Sequence, residues 1–267
     1  MKLAKLEYKK LKHYRTFWVL TLLYFITLGA TTASGMKFLK WLAAKGANFG
    51  DQVDILRIPL YHFPDIWQNL TYVSQYFQLI LAIVVIISVT NEFSFKTIRQ
   101  NIIDGLDRKD FLASKLALTL GLSLAATLFV FLVGLITGSI YSPPSEMRFM
   151  FSEIEFIPGF WLATFTYLNL VLLLAILIKR AGLSIGLVLI LPTLEYILAA
   201  LLPEAADPLI PYLPVHAINA IIKVPFQRYI FMEIQDYIDW LEALVAILYN
   251  GVYIALAYWA LRKRDFS

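Results

Sequence analysis

The stretch that decides the fold class runs from Phe160 to Leu202 and reads FWLATFTYLNLVLLLAILIKRAGLSIGLVLILPTLEYILAALL. Two apolar runs, 160–178 and 182–202, are separated by Lys179, Arg180 and Ala181. Each run has the length of about 20 residues that an α-helix needs to cross the hydrocarbon of a bilayer. Because lipid offers no partner to backbone N–H and C=O groups, such a run is expected to be helical. The stretch therefore predicts two consecutive transmembrane helices.

Four further runs of this kind lie on either side of that stretch. They are Phe17–Gly35, Val73–Thr90, Leu116–Ile140 and Ala243–Leu261. The chain has 60% hydrophobic and 16% charged residues, against about 45–50% and about 25% in soluble domains. We therefore predict an all-α membrane protein, a single transmembrane domain over residues 1–267 with six spans. The first run is longer than the 7–15 or so apolar residues of a signal peptide, so we expect a retained helix.

The basic residues set the expected orientation. Cytoplasmic loops of membrane proteins carry an excess of Lys and Arg, and six spans place both termini on one side. Sixteen of the 23 basic residues fall on that side, and 12 of the 19 acidic residues fall on the other. We therefore predict cytoplasmic termini and a location in the bacterial cytoplasmic (inner) membrane. The basic residues follow this topology instead of forming one patch, which argues against a nucleic-acid partner.

Three segments outside the spans have patterns of their own. Residues 1–15 place lysines opposite Leu3 and Leu6, which favours an amphipathic helix at the inner lipid surface; a simple cationic anchor is the alternative. We expect 36–72 to be a polar outer loop. The external loop 203–242 begins with prolines and becomes aromatic and apolar. That change favours a re-entrant or interfacial segment, and a folded external cap with its own small core is the alternative.

The sequence offers few groups for metal or enzyme chemistry. It has no Cys and three His, which argues against thiolate and multi-His metal sites. It also lacks the G-x-x-x-x-G-K-[ST] loop that holds nucleotide phosphates. We therefore expect no catalytic residues, no enzymatic activity and no cofactor or metal in this chain.

Glu195 is the one carboxylate well inside a predicted span. A charge at the centre of a bilayer costs about 2.5–3.5 kcal/mol on insertion scales, so such a residue is a functional candidate. Pro192 precedes it by three residues and removes a backbone hydrogen bond beside it. We interpret Glu195 as a candidate for the transport path or for a gate. The alternative is a structural hydrogen bond, with Tyr196 or Asn169 as the partner.

Two pairs of glycines have the G-x-x-x-G spacing that lets membrane helices approach closely. Gly134 and Gly138 lie in the third predicted span. Gly182 and Gly186 lie at the start of the fifth. We predict that both pairs take part in helix packing, and a contact between subunits is one use for them.

The most informative loop, residues 91–115, connects the second and third spans and reads NEFSFKTIRQNIIDGLDRKDFLASK. Glu92 stands where the chain leaves the membrane, and a turn is expected at Asp104-Gly105. Between them four large apolar residues recur at helical spacing: Phe95, Ile98, Ile102 and Ile103. A solvated turn does not need such residues. The pattern predicts a short amphipathic helix that contacts a partner protein.

This loop resembles that of the ABC-2 permeases, the membrane subunits of ATP-binding cassette exporters. Members commonly have a Glu after the second span, a Thr-x-Arg run, a turn, an Arg, and a Lys that opens the third span. The matching residues here are Glu92, Thr97, Arg99, Asp104-Gly105, Arg108 and Lys115. The ending 261–266, which reads LRKRDF, is also similar. Lys96 departs from the pattern, because many members have Gly before the Thr.

The resemblance implies an ABC-2 (type V exporter-like) fold and a permease that works with a separate cytoplasmic ATPase, where ATP and Mg would bind. A second permease copy or a sister permease would complete the transporter. Residues 91–115 would be the coupling loop, with these residues at the ATPase: Glu92, Phe95, Thr97, Ile98, Arg99, Asp104, Gly105 and Arg108. Two alternatives remain at this point, a non-transporting membrane scaffold of such an ATPase and a secondary transporter.

Overall fold

The computed structural model describes residue 12 and residues 14–45, 59–103, 105, 107–230 and 233–263, and every regular element in them is a helix. The α-helices are α1 (Arg15–Ala44), α2 (Ile66–Gln75), α3 (Gln78–Ser94), α4 (Thr97–Ile103), α5 (Arg108–Tyr141), α6 (Phe156–Ile178), α7 (Ala181–Leu201), α8 (Pro214–Ala220) and α9 (Trp240–Arg262). Short 3-10 helices lie at Met147–Phe149, Glu204–Tyr212 and Phe226–Ile230. The prediction of an all-α chain is confirmed for these residues. The proposed amphipathic helix at 1–15 lies largely outside them.

The long helices have the length and hydropathy of membrane spans. Within the described ranges five helices qualify singly: Arg15–Lys37 of α1, and the whole of α5, α6, α7 and α9. Helices α2 and α3 qualify only as a pair, bent by 42° at a short break, which makes six spans if the pair is counted as one. The chain is therefore a multi-pass integral membrane protein, and each predicted apolar run coincides with one of these helices.

The second span begins earlier than its hydropathy predicted. We expected a span from Val73 to Thr90, but the helical pair starts at Ile66, inside the expected outer loop. Helix α2 contains several polar residues that lower its hydropathy, and they are buried within the chain. Gln68, for example, donates from Nε2 to the backbone carbonyl of Gln235 at 2.9 Å. A polar residue that is satisfied by its own chain can lie in a span, and composition alone does not reveal this.

Helix α6 lies at the centre of the hydrophobic core. It packs against α9, α5, α3, α2 and α7. Buried residues occur all along it, from Phe156 to Ile176, as expected for a helix that is apolar all round. It ends at Lys179, whose φ of 61° is left-handed and whose N–H bonds to the carbonyl of Ala175. Helix α7 is much less covered, and its buried residues are Ser184, Val188 and Glu195.

The segment 203–242 folds back onto the spans. Its apolar side chains include Val215, Ile218, Ile221 and Ile222, which belong to the same core cluster as the long helices. The described part of this segment thus packs on the main core instead of enclosing a core of its own. Packing against the spans is the geometry that we expect of a re-entrant or interfacial segment.

Candidate functional site

A buried ion pair joins the two spans that flank the loop 91–115. Lys115, near the start of α5, places its Nζ 2.9 Å from Oε1 of Glu92, in the last turn of α3, and the two side chains are 1% and 9% exposed. The same Nζ lies 3.0 Å from the hydroxyl of Ser88. Removing one partner of a buried pair leaves an uncompensated charge and costs about 3–5 kcal/mol. The pair therefore holds α3 and α5 together at this end.

The turn from α3 into α4 is attached to this ion pair. The hydroxyl of Thr97 donates to the backbone carbonyl of Glu92 at 3.3 Å and lies 3.5 Å from its Oε2. The preceding residue, Lys96, has a φ of 55°, in the left-handed region that favours glycine. The departure from the ABC-2 pattern thus falls on a residue whose backbone suits the Gly of that pattern. We call Glu92, Thr97 and Lys115 the α3–α5 junction.

Helix α4 directs two large apolar side chains outward. Phe95, just before the helix, and Ile103, at its end, are 73% and 68% exposed, whereas Ile98 is 4% exposed and belongs to the core. A short helix is present where the pattern predicts one, but Ile98 faces the chain itself and does not share one outward stripe with Phe95 and Ile103. The side chains of Arg99 and Ile102 lie outside the described part of the structure. Phe95 and Ile103 are the large apolar side chains that a partner can reach here.

The chain turns at Gly105 after α4, at the place where a turn was predicted. Gly105 has a φ of 92°, which suits glycine, and Asp104 lies outside the described residues. Arg108, the first residue of α5, donates from Nη1 to the backbone carbonyl of Arg262 at the end of α9. The terminal residues 264–267 also lie outside the described part. The Arg108 contact nevertheless brings the end of the last helix to the loop 91–115.

The turn between α6 and α7 lies at the same end of the bundle. Its Lys179 places Nζ 5.6 Å from the centroid of the Phe93 ring, in the last turn of α3. The loop 91–115, the α6–α7 turn and the end of α9 are thus gathered together. This is the grouping of basic segments that the six-span topology requires.

Toward the opposite end of the bundle, Glu195 on α7 binds the start of α8. Both carboxylate oxygens accept from the backbone N–H of Val215 at 2.9 Å, and Oε2 also accepts from that of His216 at 3.1 Å. The Nδ1 atom of His216 lies 3.0 Å from the same oxygen. The first amides of a helix have no partner within it, so Glu195 caps α8 from a neighbouring helix. We call Glu195, Val215 and His216 the α7–α8 latch.

These partners of Glu195 differ from the predicted ones. Within the described residues its hydrogen bonds go to the start of α8, and not to Tyr196 or Asn169. The Tyr196 ring packs on the His216 ring instead, with centroids 4.8 Å apart. A signal was present in the sequence, because Pro214 is typical of a first helical position. The start of a helix also favours a nearby carboxylate.

Asn169 belongs to a separate chain of hydrogen bonds among α5, α6 and α9. Thr119 donates to its Oδ1 at 2.9 Å, and its Nδ2 donates to Oδ1 of Asn250 at 2.7 Å. Asn250 donates in turn to the hydroxyl of Thr166. Sequence reasoning missed this cluster because single polar residues in three separate apolar runs form no local pattern. The cluster ties the three central spans together.

A pocket of about 460 Å³ lies at the break between α2 and α3. Its other walls are α7 around Pro192, α8 and the residues 222–224. The polar side chains in it are Tyr72, Gln75, Tyr76, Gln78, Tyr167, Tyr196, Asn219 and Lys223. The amide nitrogen of Gln75 is buried and has no hydrogen-bond partner among the described residues. Apolar walls with a few polar groups are typical of small-molecule sites, and this one borders the α7–α8 latch.

The two glycine pairs lie in different surroundings. A Cβ on Gly134 would lie 2.7 Å from the Trp67 ring, and one on Gly138 would lie 2.3 Å from the Phe63 ring. This pair therefore allows α5 to pack closely against α2 and the turn before it. A Cβ on Gly182 or Gly186 would meet nothing within 4 Å in the described structure. A contact of the second pair with another subunit stays a prediction.

Three carboxylates surround Arg228 at the end of the bundle where the latch lies. Its guanidinium hydrogen-bonds to Asp65 and lies 3.8 Å from Glu153 and from Asp236. Burial raises the pKa of Glu153 to about 7, Arg228 opposes this rise, and Asp65 and Asp236 add to it. We call these four residues the Arg228 cluster. Among the described residues no group of three or more His, Asp or Glu is arranged to hold a metal ion.

Comparison with known families assigns the chain. The family described as "Protein of unknown function (DUF2705)" matches residues 46–267. The chain belongs to the DUF2705 family. The matched range in this DUF2705 member begins just after α1, so it includes the α3–α5 junction, the pocket and the latch. Comparison with curated proteins gives no match.

Proposed function

We propose that this chain is the membrane permease subunit of an ABC exporter, coupled to a separate cytoplasmic ATPase. The observation that carries the proposal is the α3–α5 junction. Glu92, Thr97 and Lys115 match the ABC-2 pattern at positions spread over 24 residues, and they form one hydrogen-bonded group. Residues that share a pattern and also share contacts favour a common role over a chance resemblance.

The junction suits a mechanical link between a partner and the spans. The exposed Phe95 and Ile103 lie beside it and offer an apolar contact to the ATPase. Because the junction fixes the α3–α4 turn to both α3 and α5, a displacement of α4 moves the two spans with it. ATP hydrolysis takes place in the partner, since this chain has no phosphate-binding loop. In this arrangement α4 and both termini face the cytoplasm of a bacterial cell.

The pocket at the α2–α3 break is the proposed transport path. Interrupted helices in transporters bring polar groups to the middle of the bilayer, where substrates bind. The pocket lies between this break and α7, and α7 has open glycines that leave room for a second permease copy. The α7–α8 latch borders the pocket and serves as the gate. Its release would free α8, which forms one wall of the pocket, from α7.

The test starts from the tagged full chain, purified in mild detergent from its native membrane. We expect an ATPase with Walker motifs to co-purify. The double variant F95A/I103A should weaken ATPase binding by about thirtyfold, since each exposed apolar anchor contributes on the order of 1 kcal/mol. The matched control L128A/I140A removes two equally exposed side chains from α5 and should leave recovery unchanged.

Two results would contradict the proposal. One is the absence of any Walker-motif ATPase with the intact chain. The other is an equal loss of ATPase in the α5 control, which would assign the effect to general destabilisation. If the ATPase binds but the reconstituted complex shows no nucleotide-dependent closing of the pocket, measured by cysteine labelling at an introduced N219C, the scaffold alternative replaces transport.

A further inference from the structure

A long groove runs between α6 and α9, apart from the pocket at the α2–α3 break. Its volume is about 580 Å³. The rings of Trp161 and Phe165 stack along one wall, with centroids 5.7 Å apart and planes within 6°. The side chains that form its apolar surface are Trp161, Leu162, Phe165, Ile238, Ala243 and Ile247. The groove is thus a continuous aromatic and aliphatic channel on the side of the bundle.

The two ends of the groove differ in polarity. At one end the side-chain amide of Asn250 is already hydrogen-bonded at both of its polar atoms, to Asn169 and to Thr166. At the other end the exposed carboxylate of Glu155 is part of the lining. Ile238 packs over Gly159 there, where a Cβ would lie 2.0 Å from its Cδ1. A ligand therefore meets charge at one end and hydrocarbon along the rest.

The size of the groove suits one alkyl chain. From Glu155 to Phe165 the lining advances ten residues, which is about 15 Å at 1.5 Å per helical residue. This length is about half of a 30 Å hydrocarbon core. At about 30 Å³ for each water-sized group, the groove holds roughly 20 such groups. One long alkyl chain fills that space, and the two chains of a phospholipid exceed it.

The charge near Glu155 selects the head group. Asp239 precedes α9 as its N-cap, beside the lining residue Ile238. Glu242, in the first turn of α9, is paired with Lys223, so the negative charge at this end comes from Glu155 and Asp239. The basic side chains in this region are engaged by acids, Lys223 by Glu242 and Arg228 by its three carboxylates. A negatively charged end attracts an ammonium group and repels a phosphate or a sulfate.

We propose that this groove binds a single-chain cationic amphiphile, with its alkyl chain between α6 and α9 and its cationic head at Glu155. The groove is formed within one chain and needs neither the ATPase nor the α3–α5 junction. The assignment therefore stands or falls separately from the proposed transport function.

The test uses the full chain in nanodiscs of zwitterionic lipid. The probe is a long-chain alkyltrimethylammonium with a photoreactive diazirine in its chain, and labelled peptides are located by mass spectrometry. We expect labelling in 161–165 and 243–247. An alkyl sulfate with the same photoreactive chain should label these segments about fivefold less, the scale of one exposed ion pair. In the variant E155Q the two probes should label more equally.

A pair of neighbouring substitutions locates the site. Ile247→Trp fills the groove and should reduce labelling by about tenfold, because a packed groove does not admit a chain. Leu248→Trp adds the same bulk one residue later, at an exposed residue outside the lining, and should have no effect. Ala243→Phe blocks the groove independently, and a thermal melt of each variant confirms that it is folded.

Three results would overturn the proposal. Equal labelling by the ammonium and sulfate probes in the unaltered chain would remove the cationic preference. Equal effects of the Ile247 and Leu248 substitutions, or labelling spread along the outer face of α5, would show that the probe does not bind in the groove. Labelling at full strength by a diazirine phosphatidylcholine would assign the groove to ordinary bilayer lipid.

Discussion

The α3–α5 junction and the α7–α8 latch each hold a nearly buried glutamate, but they hold it with different partners. Glu92 meets Nζ of Lys115 on a neighbouring span at 2.9 Å. Glu195 accepts hydrogen bonds from the backbone amides of Val215 and His216, and the His216 ring lies beside it. Separating the first pair leaves a buried carboxylate and a buried lysine without each other, whereas releasing the latch leaves buried backbone donors without their acceptor. At the junction the glutamate thus joins two spans, whereas at the latch it joins a span to the start of a short helix.

Lys115→Met tests the junction and should have the largest effect on stability. It leaves the Glu92 carboxylate buried without a cation, so we expect a loss of about 3–5 kcal/mol in the free energy of unfolding. Denaturant unfolding in detergent micelles, followed by tryptophan fluorescence, measures the loss. Lys109→Met removes an exposed lysine from the same helix and should change the stability by less than about 0.5 kcal/mol.

A double variant tests whether Glu92 and Lys115 act as a pair. Adding Glu92→Gln to Lys115→Met removes the orphaned charge and should recover part of the lost stability. Losses that simply add would mean that the two residues stabilise the fold independently.

The Arg228 cluster should make the stability of the latch end of the bundle depend on pH. Folding raises the pKa of Glu153 from 4.5 to about 7, chiefly through burial. The folded chain binds this proton more tightly, so the contribution of Glu153 to stability is complete below pH 4.5 and is lost as pH rises through about 7. The loss amounts to at most about 3 kcal/mol at 1.36 kcal/mol per pKa unit.

Melting curves at about pH 5 and about pH 8 measure this effect. The unaltered chain should lose more stability over that interval than Glu153→Gln, which stays neutral throughout. A parallel pH profile for the two proteins would show that Glu153 does not take up a proton on folding.

Glu195→Ala should open the latch and should reduce the stability less than Lys115→Met does. It leaves the amides of Val215 and His216 without their acceptor, and an unsatisfied buried donor costs about 1–3 kcal/mol. Hydrogen exchange at these two amides should accelerate by about tenfold, since 1.4 kcal/mol is a factor of ten. Leu194→Ala truncates the exposed preceding side chain and should leave the exchange unchanged. Unaltered exchange in Glu195→Ala would mean that the carboxylate does not cap α8 in the membrane.

Lys96→Gly should have the smallest effect and the opposite sign. A non-glycine residue in the left-handed region costs about 1–2 kcal/mol, and glycine removes that cost while losing more entropy on folding. We expect a gain of about 0.5–1 kcal/mol, measured by the same unfolding assay as for Lys115→Met. Lys109→Gly, within helix α5, provides the control and should be destabilising by about 1 kcal/mol. A loss of stability in Lys96→Gly would show that the lysine side chain contributes more than its backbone conformation costs.

The spans were predictable from the sequence because the preference for lipid depends on local composition. The runs in α5, α6 and α9 are uncharged and mostly apolar, and each is helical in the structure. The predicted second span missed α2, because Gln68 and Asn69 made that stretch look polar. In the structure both are buried and hydrogen-bonded to distant residues of the same chain. The loop helix α4 was also predictable, since its apolar residues recur at helical spacing.

The candidate sites were only partly predictable. Glu195 stood out because a charge inside a span is rare, but its partner His216 lies on α8, beyond the end of its own helix. The groove between α6 and α9 had no signal, because its lining residues are as apolar as those that face lipid. The Asn169–Asn250 contact joins residues from two spans, and the sequence placed them no closer than any other pair.

The sequence alone was enough to locate the runs that are apolar enough to cross a bilayer and the loop that contains a short helix. These properties depend on residues within a few turns of one another. The tertiary structure decided that Lys115 meets Glu92, that α8 reaches Glu195, and that a groove remains beside Trp161. Hydrogen bonds and cavities depend on the positions of distant residues, and those positions follow from how the helices pack.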